Sequence, residues 1–352
     1  MKQTAYVPPP TTCALLADLA TRAGGWVTIR EKESVVEYAL PGHASAEVRD
    51  FLQARASVQF EPALVARLPG GRVFGSGAVL SPDGQAIARD VSLDFGKAFS
   101  DHWLLTYGKI PPPTPLGGTT AVIATTLGNG YSHWLLEELP RLLALPPDGA
   151  ERLIAHAASG PAREAIERHG FRGSVIAARR DAHFTCEQLI VPSLGRLNAS
   201  TLAALEKFTA SLRGAAPGRG ERLYISREKA RRRQVTNEPE LWAELSARGF
   251  VKLHLEELSW AQQINAFANA KVIVAPHGAG LANLVFCAPG TKIIELFHRS
   301  YVNVCYWQLA VLRQLDYRPL VPDSAEPLAQ TLNANRADVT ADLAQVHGAL
   351  QS

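Results

Sequence analysis

The residues best suited to chemistry fall in three short blocks. The first is His277-Gly278-Ala279-Gly280-Leu281-Ala282-Asn283, followed at some distance by Glu295. Glycines at 278 and 280 let a backbone turn sharply and approach a ligand closely. Free N–H groups at a helix start, together with the positive end of its dipole, suit a phosphate. His277 adds a donor at the same edge, and Glu295 can accept hydrogen bonds from the two hydroxyls of a sugar. A diphosphate flanked by a ribose fits this set. A structural turn with no ligand fits the glycines alone equally well.

The second block spans residues 223–238, LYISREKARRRQVTNE. A strand ending at Ser226 puts Arg227 at the carboxyl edge of a sheet, where open α/β folds bind ligands. Arg231, Arg232 and Arg233 follow. Guanidinium groups contact phosphate in a fixed two-pronged geometry, and a solvated charge run is the plainer reading of the triple arginine. Asn237 and Glu238 precede Pro239 and suit the cap and first turn of a helix. The third block is GNGYSHWLLEELPR at 128–141. Asn129 and Gly130 form a turn, and His133 and Glu137 share a helical face at i, i+4. Such a pair can deprotonate a sugar hydroxyl, because a carboxylate in a closed cleft is pushed toward the pKa of a general base. An ordinary surface pair is the competing reading. Arg141 suits a salt bridge or a phosphate contact.

The elements that must position these blocks follow from periodicity. Residues 272–275 and 292–297 read as strands on either side of a helix start at 281–286, half of a βαβ unit. Short apolar runs separated by Pro-Gly-Gly, Gly-Ser-Gly and Pro-Asp-Gly turns at 60–94 predict hairpins, and a Pro-rich connector follows at 110–118. From 119 strands alternate with helices: strands at 121–125, 152–157, 174–177 and 188–191, helices at 132–145 and 162–169. A helix at 201–212 leads to a linker at 213–220. The second series has strands at 223–226 and 251–254 and helices at 239–248, 259–268 and 306–312. The helix at 259 opens with a Ser cap and Gln262 three residues on. Alternation of this kind predicts parallel sheets covered by helices. The expected division is 1–118 as an N-terminal helix and small β-rich region that is part of the first domain, 119–213 and 221–325 as two Rossmann-like domains, and 326–352 as a helical tail.

With 352 residues, 47% of them hydrophobic, 20% charged and a net charge of +3, the chain has the make-up of an ordinary globular protein. The charge is too small for bulk binding of nucleic acid or membrane, and the basic run at 219–233 lacks interleaved aromatics for base stacking, so no nucleic-acid partner is expected. Cys13, Cys186, Cys287 and Cys305 are widely separated, as reduced thiols in a cytoplasmic protein are. No apolar run reaches the length of a signal peptide or membrane span. A cytoplasmic location is expected, with peripheral attachment to the inner face of the cell membrane left open. No Asp-x-Asp, phosphate-loop lysine motif, nucleophile elbow or zinc spacing occurs, so no metal and no cofactor are expected and leaving-group charge falls to arginines, His277 and a helix N-terminus.

These blocks, in this order, carry a resemblance. Asn-x-x-x-His-Trp-Leu-x-Glu-x-Leu-Pro-Arg at 129–141, the Ser-Arg, poly-Arg and Asn-Glu run at 226–238, and His-Gly-Ala-Gly-Leu-x-Asn at 277–283 resemble glycosyltransferase family 61, in its bacterial capsular-polysaccharide branch. The likeness extends over residues 60–300, including 256–263 and Ile-Glu-Leu-Phe at 294–297. It implies a GT-B fold, two Rossmann-like domains facing across a cleft. It further implies an inverting, metal-independent transfer from a nucleotide-sugar donor to a glycan or lipid-linked glycan acceptor, in cell-surface polysaccharide synthesis. A non-catalytic nucleotide- or glycan-binding module on the same fold is the alternative. By that likeness Glu137 is the base, or His133 if Glu137 only orients it; the glutamate is longer than the aspartate of other members. Arg227, Arg233, His277, Gly278, Ala279, Gly280, Leu281 and Asn283 fall in the diphosphate-binding blocks, with Glu295 at the ribose. Asn129, Arg141, Arg232, Asn237 and Glu238 are further candidates, and Arg233 is preferred among the three arginines because it lies four residues before Asn237.

Overall fold

The computed structural model describes residues 6–94, 98–195, 197–330 and 332–351. The chain divides into two compact units, Met1–Ser34 with Phe60–Arg196, and Val35–Gln59 with Leu197–Ser352.

In the first unit, short strands β1 (Thr12–Ala14) and β2 (Trp26–Glu31) flank the helix Leu16–Arg22. The chain then leaves and re-enters this unit through β3 (Ser34–Glu37) and β4 (Ser57–Phe60), which pair as a two-stranded sheet. The turn-rich stretch forms β5 (Ala63–Pro69), β6 (Arg72–Phe74), β7 (Ala78–Leu80) and β8 (Ala86–Ala88). The β6–β7 and β7–β8 pairs are antiparallel, as expected. Gly70, Gly75, Gly77 and Gly84 take positive φ at the turns. Then come β9 (Thr114–Val122), β10 (Arg152–Ala155), β11 (Ser174–Ala177) and β12 (His183–Pro192). β12, β9, β10 and β11 lie side by side and parallel, in that order, and form one end of a ten-stranded sheet with β11 at its edge. Leu68, Val122, Ile154, Leu189 and Val191 form its buried core with Leu16 and Leu19. The Pro-rich connector is shorter than expected: β9 begins at Thr114 and pairs with β12 from there, Pro115 lying opposite Thr185.

The second unit is a five-stranded, wholly parallel sheet of β13 (Arg222–Ile225), β14 (Val251–Leu253), β15 (Val272–Pro276), β16 (Lys292–Leu296) and β17 (Asp316–Leu320). The spatial order is β14-β13-β15-β16-β17, so the chain moves one way from β13 and then returns to its other side. This is the flavodoxin-like variety of doubly wound sheet, with the topological switch point between β13 and β15. Helix Trp260–Asn269 opens with a complete capping box between Ser259 and Gln262, as its sequence predicts.

Three expected boundaries are corrected. Residues 35–59, including the helix Ala46–Gln53, group with the second unit, not with the first. Arg299 and Trp307 hold them there, through hydrogen bonds to Glu47 and to the Ala39 carbonyl. The transfer between units falls at 196/197, so the linker expected at 213–220 lies inside the second unit. Residues 326–352 are more than a tail: Val339, Ala341, Val346 and Ala349 complete the core around Tyr224, Leu241 and Ile294. No helix among the described residues is long and apolar enough to cross a membrane.

Candidate functional site

The switch point of the second unit gathers the two strongest blocks. Arg227 leaves the carboxyl end of β13 and His277-Gly278 leaves that of β15, where ligands bind in open α/β sheets. A small cavity between them is lined by Ser226, Arg227, Leu255, Pro276, Gly278 and Gly280. Neither glycine has a left-handed backbone: Gly278 is extended at φ −179° and Gly280 is not among the positive-φ residues. Their missing side chains serve packing instead. A Cβ on Gly278 would collide with the Arg227 guanidinium, and one on Gly280 would sit 2.5 Å from Leu255 Cδ1. Gly278 thus lets Arg227 lie across the start of the 3-10 helix Ala279–Phe286, the form taken by the expected helix start.

Two guanidiniums converge here. Arg227 Nε and Nη2 donate to the Arg232 carbonyl at 3.3 and 3.1 Å. Burial lowers the Arg227 pKa to about 10, with the Arg233 charge adding to the effect. Arg233 takes φ 57°, a conformation rare for a side chain of its size and a mark of strain held by its surroundings. Gln234 supplies the hold: its N–H donates to Asp338 and its amide to the carbonyls of Glu228 and Ala230. The Arg233 guanidinium lies 5.6 Å from the Tyr301 ring centre, and its buried Nε has no hydrogen-bond partner. Neither Arg227 nor Arg233 takes part in an ion pair among the described residues. Glu256, exposed at the same cavity, is the carboxylate that faces Arg227, but it forms no ion pair with it, and two adjacent unpaired cations suit a polyvalent anion. Arg231 and Arg232 are exposed, and Arg232 contributes its carbonyl only.

His277 is buried beside them, its ring within 5.2–5.5 Å of Phe297, Tyr301 and Tyr306. Its Nδ1 lies 2.5 Å from Glu295 Oε1, and the other Glu295 oxygen accepts from the Tyr317 hydroxyl at 2.6 Å. Burial and the neighbouring carboxylate raise the Tyr317 phenol well above its usual value, so it stays a donor. Glu295 is fully buried with both oxygens engaged, so its expected contact with a ribose is replaced by the orientation of His277. The carboxylate on Nδ1 fixes the ring orientation and leaves Nε2 as the nitrogen free to meet a ligand. Tyr317 and the aromatic ring around His277 escape sequence reading because no spacing rule links them to position 277.

Several other candidates are structural. Asn283 is fully buried and donates to Gln263 at 3.0 Å, and Leu281 is core. Asn237 makes no helix cap; it pins the C-terminal segment by two 2.9 Å bonds to the backbone of Ala341. Glu238 accepts from Ser226 at 2.6 Å and meets Lys252 at 3.1 Å.

In the first unit the third block becomes a helix of three parts, Tyr131–His133, a π turn Trp134–Glu138, and Leu139–Leu143. Pro140 lacks an N–H and its ring would strike the carbonyl four residues back in an α-helix, and the wider π turn relieves that contact. Two consecutive carboxylates then meet two histidines. His133 Nδ1 lies 2.7 Å from Glu137 Oε1, as their spacing predicts, and His156 Nδ1 lies 2.7 Å from Glu138 Oε1. Arg141 is engaged within the first unit. It is buried and donates to the carbonyls of Pro192, Ile123 and Ala124, each at 3.0 Å, so it fills the crevice between the carboxyl ends of β12 and β9. Burial lowers its pKa to about 10. Asn129 is exposed in the preceding loop. Sequence reading missed Glu138 and His156; the doubled glutamate was a signal, but the strand expected at 152–157 took in His156, whereas β10 ends at Ala155. Among the described residues no group of His, Cys, Asp and Glu is arranged to hold a metal ion.

Residues 131–294, somewhat under half of the chain, match the family Glycosyltransferase 61. The matched stretch opens on the three-part helix and closes one residue before Glu295. The chain is similar to an EGF domain-specific O-linked N-acetylglucosamine transferase of Drosophila melanogaster, 37% identical over 98 residues, or 27% of this chain and 18% of the relative. It is also similar to a beta-1,2-xylosyltransferase of Oryza sativa subsp. japonica, 27% identical over 77 residues, or 22% of this chain and 14% of the relative. The aligned segments thus span less than a fifth of either relative. Both relatives are eukaryotic, whereas the motif order resembles a bacterial branch. Glycosyl transfer is the chemistry these similarities support.

Proposed function

We propose that this chain is a glycosyltransferase of the family 61 type, moving a sugar from a nucleoside-diphosphate donor to a hydroxyl of a glycan. The observation that carries this reading is the pair Arg227 and Arg233, two guanidiniums in no ion pair among the described residues, beside a carboxylate-held His277 at a topological switch point. A diphosphate leaving group needs its charge neutralised as the glycosidic bond breaks, and fixed cations in a partly desolvated site do this without reorganisation. The second unit supplies that charge. The helix at 131–143 of the first unit supplies carboxylates, Glu137 with His133 among them, for activation of the incoming hydroxyl. On this scheme the reaction is a single in-line displacement that inverts the anomeric carbon, needs no metal, and uses a GT-B division of labour. Synthesis of a cell-surface polysaccharide at the cytoplasmic side of the membrane is the setting we assign.

Thermal unfolding in the presence of uridine, cytidine and guanosine diphosphates, with and without EDTA, tests the donor site. Binding raises the midpoint by mass action, about 2.7 kcal/mol at a hundred times Kd. The expected result is a dose-dependent rise with one base, unchanged by EDTA. No rise with any nucleotide overturns the donor site, and a rise that EDTA abolishes overturns metal independence. Binding with no turnover of any nucleotide sugar favours a glycan- or nucleotide-binding module.

A further inference from the structure

We propose that His156, held by Glu138, is the base that takes the proton from the acceptor hydroxyl. This rests on the glycosyl-transfer reading and names a residue that neither the sequence blocks nor the spacing of His133 and Glu137 point to. His156 is the first residue after β10, at the carboxyl edge of the parallel strands, where α/β sheets bind their ligands. Glu138 is fully buried, and its Oε1 also accepts from the Thr125 N–H at 2.7 Å. That oxygen is therefore an acceptor, and Nδ1 of His156 is its donor at 2.7 Å. Nε2 is left as the nitrogen able to take a proton. It makes no hydrogen bond among the described residues and is not among the buried unpartnered atoms, so solvent reaches it. The side chain is 12% exposed, so the ring is otherwise enclosed.

The pair is clamped from three elements: the loop after β9 through Thr125, the π turn through Glu138, and the end of β10 through His156. Room for it is cut from the chain at Gly128, where a Cβ would overlap Glu138 Oε1 and lie 2.8 Å from His156 Nδ1. The His133–Glu137 pair is built differently. Both its members sit on one helix, with side chains 33% and 18% exposed. A base must hold its geometry to within a fraction of an ångström to be effective. In the step itself the acceptor O–H bond breaks, with the proton passing to His156 Nε2. The hydroxyl oxygen bonds to the anomeric carbon, and the bond from that carbon to the diphosphate breaks, with its electron pair leaving on the phosphate oxygen. Glu138 stabilises the imidazolium that results.

The test uses the full chain and whichever sugar nucleotide of a uridine, cytidine and guanosine diphosphate panel it consumes, with water or a methyl glycoside as acceptor. His156→Ala should lose 10²- to 10⁴-fold in kcat, the usual worth of a general base. Nucleoside-diphosphate affinity should stay as in the unaltered protein, and added imidazole should restore part of the rate. The loss should exceed that of His133→Ala by tenfold or more. A kcat for His156→Ala within tenfold of the starting protein, or a larger loss in His133→Ala, overturns the assignment while leaving the donor site standing. Diphosphate binding lost in the unaltered protein overturns the transfer reading itself. Nitrogen-15 NMR of the histidines gives a readout independent of turnover and of variant folding: His156 should carry its proton on Nδ1 at neutral pH, and a proton on Nε2 alone overturns the proposal.

Discussion

Replacing Arg227 with methionine removes a cation that the folded protein holds against its own electrostatics. Burial and the nearby Arg233 lower the guanidinium from its ordinary value to about 10. At about 1.4 kcal/mol per pKa unit this sets a ceiling of about 3 kcal/mol on the penalty. The side chain is only half-buried, so solvent screening reduces the figure to about 1–2 kcal/mol. The lost hydrogen bonds to the Arg232 carbonyl, at 3.3 and 3.1 Å, offset part of the gain. Arg227→Met should therefore be more stable by about 1 kcal/mol, a rise of about 2–4 °C in the midpoint for a unit of this size. The charged form is disfavoured at every pH below the folded-state value of about 10, so the gain should be flat from roughly pH 6 to 9. In the presence of a nucleoside diphosphate the order should reverse: the parent protein gains stability and the variant does not. The assay is a thermal melt of both proteins with and without the nucleotide. A variant that melts below the parent without nucleotide, and is still raised by the diphosphate, would refute the reasoning.

Glu295→Gln keeps the volume of a fully buried side chain but puts an amide in place of the carboxylate that faces both His277 and Tyr317. Diphosphate affinity should fall about tenfold by calorimetry, and urea unfolding should show a loss of about 1–3 kcal/mol; unchanged affinity would remove His277 from the site. Gly128→Ala should cost about 2–3 kcal/mol in urea unfolding because its Cβ lands on Glu138, while Gly130→Ala, whose nearest neighbour would be the Leu127 carbonyl at 3.3 Å, should cost less than about 1. Arg141→Met leaves three buried carbonyls without their donor and should cost about 3–5 kcal/mol, with no specific effect on diphosphate affinity measured in the second unit.

The parallel strands were legible because buried β-branched runs bounded by turn residues admit few other readings, as with Ile273, Val274 and Ile293. The capping box at Ser259 and the left-handed Gly170 that closes the helix Gly160–His169 follow from local chemistry alone. What the sequence hid depends on contacts between distant residues. The roles of Gly278 and Gly280 come from Arg227 and Leu255, not from their own dihedrals. Glu295 shows every sign of a ligand residue until Tyr317, 22 positions on, is seen to occupy its second oxygen. The π turn, which brings Glu138 to His156, needs Pro140 to be read as a distortion within a helix and not as its end. Residues 35–59 hold an amphipathic helix, Ala46–Gln53, but its periodicity does not say that it joins the second unit.

Release of nucleoside diphosphate from a panel of nucleotide sugars, N-acetylglucosamine and xylose donors among them, tests the central claim most directly. The parent protein should release diphosphate from at least one donor, faster with a glycan acceptor than with water, and Arg227→Met should release none above background. Release that is undiminished in Arg227→Met, or none from the parent protein with any donor it binds, would contradict the account.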